Sequence, residues 1–194
     1  MNAGRGLRRR VVGGIGWLLA SAAMAQPAPA PAPAAPAPAP APAGLRENGP
    51  LAPLAFLAGA CWRAPLPGGT QTDSRCIRWF QQGRYLRARH EVQGSQPPYG
   101  GETTYYRDPA DGRLRSLGFD VSGGIAQGTV STLAAGAVQI EERHVGPQGR
   151  FLQRIRYAPI DASTIAARIE RSDDDGRNWR VVNDTRYTRN PINW

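Results

Sequence analysis

Ile169-Glu170-Arg171-Ser172-Asp173-Asp174-Asp175-Gly176-Arg177-Asn178-Trp179-Arg180-Val181-Val182-Asn183-Asp184-Thr185-Arg186-Tyr187-Thr188-Arg189 reads as one β-hairpin with an explicit turn. The Asp and Gly cluster at its centre can reverse the chain. Short carboxylates bond nearby backbone N–H groups, and Gly accepts positive φ at little cost. Ahead of the turn, Ile165, Ala167 and Ile169 alternate with Ala166, Arg168 and Glu170. Beyond it, Trp179 and Val181 alternate with Arg180 and Val182, and the pattern continues through Thr185 and Tyr187. Period 2 on both arms means one buried and one solvated face.

Everything back to Cys61 repeats this unit. Strands are expected over 61–64, 72–80, 85–92, 102–107, 113–121, 125–132, 137–145, 151–158, 164–171 and 179–189. The separators are turns: Gln82-Gly83, Gly100-Gly101, Pro109-Ala110-Asp111-Gly112, Ser122-Gly123-Gly124, Ala135-Gly136, Gly146-Pro147-Gln148-Gly149 and Pro159-Ile160-Asp161-Ala162. Links this short cannot make parallel crossovers. The expected fold is therefore all-β: a single up-and-down antiparallel barrel of about ten strands, whose closure removes exposed edges. An open sandwich is the alternative. Pro53–Gly59 is short, apolar and ends in Gly, which fits a short N-terminal helical plug.

The first 52 residues read differently. Residues 1–25 carry Arg5, Arg8, Arg9 and Arg10, then an apolar run from Val11 to Ala22, then Ala23-Met24-Ala25. That is the layout of a cleavable secretory signal ending near Ala25/Gln26, and the run is too short to span a bilayer. Arg8-Arg9-Arg10-Val11-Val12 also fits a loose twin-arginine pattern. The chain contains no Lys, however, so any basic start must be written in Arg, and general secretory export is the simpler reading. Residues 26–52 open with an Ala/Pro tract, a stiff extended spacer that excludes helix and sheet. The expected layout is signal 1–25, linker 26–52, barrel domain 53–189 and tail 190–194, with a periplasmic or secreted location.

Charge excludes one class of partner. The formal +9 includes the four Arg of the signal; without them 20 Arg face 15 acidic residues, or +5. Arg87, Arg89, Arg154 and Arg156 alternate with apolar residues, the spacing of a solvated sheet face, which argues against nucleic-acid binding. Cys61 and Cys76 flank Pro65-Leu66-Pro67-Gly68-Gly69-Thr70. A hairpin centred between Gly68 and Gly69 opposes residues whose numbers add to 137, as those of the two Cys do. In an exported chain they form a disulfide; two Cys without paired His fall short of a metal site.

Leu54-Ala55-Phe56-Leu57-Ala58-Gly59-Ala60-Cys61-Trp62 resembles the Leu-x-x-Leu-x-Gly-x-Trp opening of lipocalin-like barrels, with one extra residue, Cys61, before Trp62. Ser172–Trp179 followed by Tyr187-Thr188-Arg189 resembles the close of small secreted bacterial lipocalin-like domains of unknown function. Nitrobindin-type haem barrels share the opening more distantly. The resemblance implies a calycin-type barrel with a central cavity and names no ligand. Ser172, Asp174, Gly176 and Trp179 also resemble the Asp-box of sialidase-like propellers, a structural turn with no catalytic part. One copy is too few for a propeller. Asp173–Asp175 lacks the further ligands of a Ca²⁺ loop.

On the expected inward face lie Leu86, Ala88, His90 and Val92; Val138, Ile140, Glu142 and His144; Phe151, Gln153, Ile155 and Tyr157; Ile165, Ala167 and Ile169; and Trp179, Val181, Asn183, Thr185 and Tyr187. Within it His90, Glu142, His144, Gln153, Tyr157, Asn183 and Tyr187 are the candidate ligand-binding residues, polar groups set among apolar walls. No catalytic or metal-binding residue is assigned. Glu142 and His144 could serve as an acid/base pair, but i and i+2 share a face on every strand. The leading expectation is a non-catalytic carrier of a small, partly apolar molecule. One alternative is a haem barrel with His144 as axial ligand and His90 nearby. The other is a filled barrel that acts as an envelope interaction module.

Overall fold

The computed structural model describes residues 48–191. The signal, the Ala/Pro tract and the last three residues lie outside the described residues. Ten strands form one closed antiparallel barrel in sequence order: β1 Ala60–Pro65, β2 Thr72–Phe80, β3 Tyr85–Gln93, β4 Tyr99–Arg107, β5 Leu114–Asp120, β6 Ile125–Thr132, β7 Val138–Gly146, β8 Gly149–Pro159, β9 Thr164–Ser172 and β10 Arg180–Asn190. Each pairs with its sequence neighbour, and β10 returns to β1 through Cys61↔Asn190, Trp62↔Arg189 and Arg63↔Thr188. The expected up-and-down barrel is borne out, and the sandwich is not formed. Among the described residues helix is limited to short 3-10 turns, none able to cross a membrane.

The β1–β2 register runs from Ala60↔Ile77 to Pro65↔Thr72 and puts Cys61 opposite Cys76, as the Gly68-Gly69 turn predicts. The two form a disulfide. Trp62 and Ala64 face inward, so the disulfide lies on the outer face. The expected helical start is a 3-10 helix, Ala52–Leu57, and Trp62 Nε1 donates to Leu57 O at 2.8 Å. Leu51, Leu54 and Leu57 are buried in one cluster with Trp62, Ile77, Leu86, Val138, Ile140, Ile165 and Tyr187. Packed structure thus begins at Leu51, inside the stretch read as spacer.

Outward Arg residues bridge strands, as with Arg154 Nε to Glu141 Oε2 at 3.4 Å and Arg168 NH1 to Asp184 Oδ2 at 2.6 Å. Exposed pairs of this kind are worth little each.

Two local expectations are corrected. Gly100 and Gly101 are not a turn: they pair with Glu91 and His90 inside β4, and the chain reverses over 94–98. A side chain at Gly101 would meet the backbone carbonyl of Phe119 on β5, so the dipeptide is there for close strand approach. The second correction concerns Trp179 and Val181, expected inside. A bulge between Val181 and Asn183 shifts the β10 register against β9. An extra residue flips the alternation. Val181 therefore shares the outer face with Glu170, Val182 turns to the mouth, and alternation resumes at Asn183.

Trp179 precedes β10 and packs on the outer wall, with the Arg154 guanidinium 3.9 Å from its ring centre and its Nε1 donating to Gly176 O at 3.0 Å. The turn is held from within. Ser172 Oγ donates to Asp174 Oδ1 at 2.7 Å and accepts from Gly176 N at 2.8 Å, and Asp174 accepts from Asn178 N at 2.9 Å. Gly176 has φ +88°, where other residues are strained. Asp173 is paired with Arg171 and Arg180, and Asp175 with Arg143.

Removing the disulfide by Cys61→Ser/Cys76→Ser costs about 3 kcal/mol in the chain-entropy model. For a domain this size the Tm falls by about 10 °C. Thermal melts followed by circular dichroism, with and without reductant, measure the drop; strand content at 25 °C stays unchanged.

Candidate functional site

Strand polarity puts the loops 66–71, 94–98, 121–124, 147–148 and 173–179 at one end, the mouth. The 3-10 helix Ala52–Leu57 lies at the other. Below the middle the buried core of Leu51, Leu54, Leu57, Trp62, Ile140 and Tyr187 occupies the interior. Towards the mouth it opens into a cavity of about 390 Å³. The opening follows from side-chain size. Around the cavity, β4, β5 and β6 present the small residues Gly101, Thr103, Gly118 and Ala126, while β8 and β9 carry Phe151, Ile155 and Ile169. In a closed ring the opposite wall cannot move in to compensate, so small residues on one arc leave space.

The polar lining divides in two. On the β2–β3–β10 side, Asp73 is 2% exposed and accepts from Arg75 NH2 at 3.1 Å and Tyr187 Oη at 2.7 Å, both on Oδ2. Its Oδ1 lies 2.9 Å from His90 Nε2. Arg75 NH1 donates to Tyr157 Oη at 2.8 Å, and Asn183 Nδ2 donates to Tyr187 Oη at 3.3 Å. Burial alone would push the Asp73 carboxyl up. The Arg75 guanidinium, His90 and the Tyr187 hydroxyl outweigh it and hold Asp73 well below the usual carboxylate range. Burial disfavours charge on Arg75 too, but Tyr157 and Asp73 keep it above its ordinary value. Burial and then Arg75 lower His90, against Asp73. In this half the charges of Asp73 and Arg75 cancel, although Asp73 Oδ1 and His90 Nε2, 2.9 Å apart, lack a well-formed hydrogen bond.

The β7–β8 side is different. Glu142 is 5% exposed and makes no hydrogen bond among the described residues. Its near neighbour is His144, whose Nε2 sits 3.5 Å from Oε2 and also lacks a hydrogen-bond partner. The His144 ring stacks on Phe151 at 4.5 Å between centroids, and Arg171 covers the other side of the Phe151 ring at 3.7 Å. Gln153 pairs in register with Glu142 and faces the same space. Ser116 lies in that inward row across Gly128, 2% exposed, with its Oγ unpartnered.

All seven residues singled out from sequence face the interior, in two groups. His90, Tyr157, Asn183 and Tyr187 belong to the closed network, whereas Glu142, His144 and Gln153 line the open one. Sequence reasoning missed Asp73 and Arg75, the centre of the first group. The signal was present: a register of 137 puts Arg75 opposite Trp62 and Asp73 opposite Ala64, so an inward Trp62 turns both inward.

The haem alternative finds little here. Nε2 of His90 and Nε2 of His144 each turn to a carboxyl group in the wall, so neither projects alone into the cavity. Among the described residues no group of three or more His, Cys, Asp and Glu is placed to hold a metal ion. The filled-barrel alternative needs a solid core, which the cavity argues against. No protein-family model and no curated protein matches the chain.

Asp73→Asn leaves Arg75 buried without its counter-charge and costs about 3–5 kcal/mol in chemical denaturation. Asp73→Asn/Arg75→Met, which removes both charges, costs less than the single change. Groups held below their unfolded-state values stabilise the fold at higher pH and withdraw that support as pH falls. The wild type therefore loses stability below about pH 6.5 through His90 and again below about pH 4 through Asp73. In Asp73→Asn the lower limb is flattened, as urea titrations between pH 3 and 8 will read.

Proposed function

We propose that this chain is an exported, tethered, lipocalin-like barrel that binds one small, partly apolar molecule in its cavity and carries it without chemical change. The observation that carries the reading is the cavity itself. Its volume lies within the ~300–1,000 Å³ of ordinary ligand sites, and like them it has apolar walls and a few polar groups. The space is reached from the mouth, whose rim includes the exposed Tyr99, Phe119 and Ile125. Apolar rims of this kind ease entry of an apolar body. Glu142, His144 and Gln153 supply polar groups with bonds still to make.

The packed end and the disulfide support a carrier role in a second way. They fix the wall, so the cavity persists without a ligand and binding needs little reorganisation. Export is supported by the layout of residues 1–25 and by the disulfide, which forms and lasts in oxidising compartments. The Ala/Pro tract would hold the barrel away from whatever its N-terminal side adjoins.

A neutral fluorophore, N-phenyl-1-naphthylamine, is expected to bind one per chain with blue-shifted, enhanced emission. Ala126→Phe, which places a ring in the cavity from the small-residue wall, reduces the affinity at least tenfold while the Tm stays level or rises. Absence of saturable binding to the wild type would remove the carrier reading.

A further inference from the structure

The ligand's class can be read from which cavity charges are already used. Arg75 is the conspicuous cation in the wall, and it invites an anionic guest such as a carboxylate. Its charge is matched by the Asp73 carboxylate, however, and three of its five N–H groups are in use. Nε and NH2 go to Asp73 Oδ2 at 3.3 and 3.1 Å, and NH1 goes to Tyr157 Oη at 2.8 Å. Arg171, nearer the mouth, is tied to Asp173 at 2.6 Å and lies flat over Phe151. Asp120 accepts from Ser122 N, Ser122 Oγ and Gly124 N in its own turn. The two Arg thus have counter-charges, and Asp120 has three neutral donors, all on Oδ1.

Glu142 has neither. It is an inward carboxyl group, nineteen-twentieths buried, with two acceptor oxygens and no hydrogen bond among the described residues. Burying such a group without partners is costly, and the local structure has been shaped to keep it there. Gly128, its neighbour in register on β6, leaves room for it: a Cβ at Gly128 would sit 2.7 Å from Glu142 Cγ. His144 beside it and Gln153, its register partner on β8, can adapt as donor or acceptor, and neither brings a fixed positive charge.

From this we infer that the cavity selects small amphipathic amines: a cationic, hydrogen-bond-donating head on Glu142, with the apolar body against Ile155, Ile169 and Ala88. The inference rests on the carrier reading and narrows it. An ammonium head supplies both things that Glu142 lacks, donors and a counter-charge, and charge-assisted bonds of this type are among the stronger ones. A carboxylate head in the same place would face Glu142 with no free cation to offset it. The head group, not the apolar body, is then what the site discriminates.

The test is competition against bound N-phenyl-1-naphthylamine at pH 7, with 4-phenylbutylamine and 4-phenylbutyrate as an amine and an acid of matched body. The amine is expected to displace the fluorophore at a concentration at least about tenfold lower than the acid. Glu142→Gln, close in shape, removes that preference, read as the ratio of the concentrations at which the amine and the acid displace the fluorophore. A thermal melt confirms that the variant is folded. An acid that competes as well as the amine, an amine preference that survives Glu142→Gln, or a failure of both competitors would each overturn the inference while the carrier reading stands. Failure of the fluorophore itself to bind would remove both.

Discussion

Closure of the sheet is the constraint on which everything else depends. Ten antiparallel strands joined edge to edge leave no free hydrogen-bonding rim, and they hold the interior to a nearly fixed width. Within that width, side-chain volume alone decides what is solid and what is open. The end that receives Leu51, Leu54, Leu57 and Trp62 is occupied by a buried core. The arc with Gly101, Gly118 and Ala126 cannot fill its share, and the ring cannot collapse around the gap. The cavity is a consequence of composition on three strands rather than of any special loop.

The polar groups inside obey a second rule, that buried charge must be matched. On one side the match is internal: Asp73, Arg75, Tyr157 and Tyr187 satisfy each other across β2, β8 and β10, and so tie together strands far apart in the ring. On the other side Glu142 makes no hydrogen bond among the described residues and has only His144, 3.5 Å away, beside it. A barrel that needed polar residues only for its own stability would have paired both sides alike. The difference between the two sides separates the groups that hold the wall together from those whose bonds remain open.

Much of this was legible in the residues, and the parts that were not have identifiable causes. Alternation and turn chemistry place the strands because period 2 is a property of single segments, and the Gly68-Gly69 turn carries the disulfide register with it. Gly100-Gly101 misled because adjacent Gly permits a turn and also permits close strand packing, and only the neighbouring strand decides between them. Trp179 and Val181 misled because one inserted residue, invisible to a periodic reading, reverses every side chain beyond it. Asp73 and Arg75 escaped because charged residues on a strand are read as solvated until the facing strand is placed. A central cavity was expected, but not the wall that makes room for it, since that wall is built of small residues on three strands that meet only after closure.

The junction of β1 with β10 is the shortest in the ring, with just Cys61↔Asn190, Trp62↔Arg189 and Arg63↔Thr188 in register. A transient gap in the wall opens there first, because the fewest ladder bonds have to part. The covalent link from Cys61 to Cys76 then ensures that β1 swings out together with β2, as a ribbon rather than a lone strand. That ribbon bears Asp73 and Arg75. Breathing of the seam and dismantling of the buried charge network are accordingly a single event, and the network acts as a latch on a door whose hinge lies between β2 and β3.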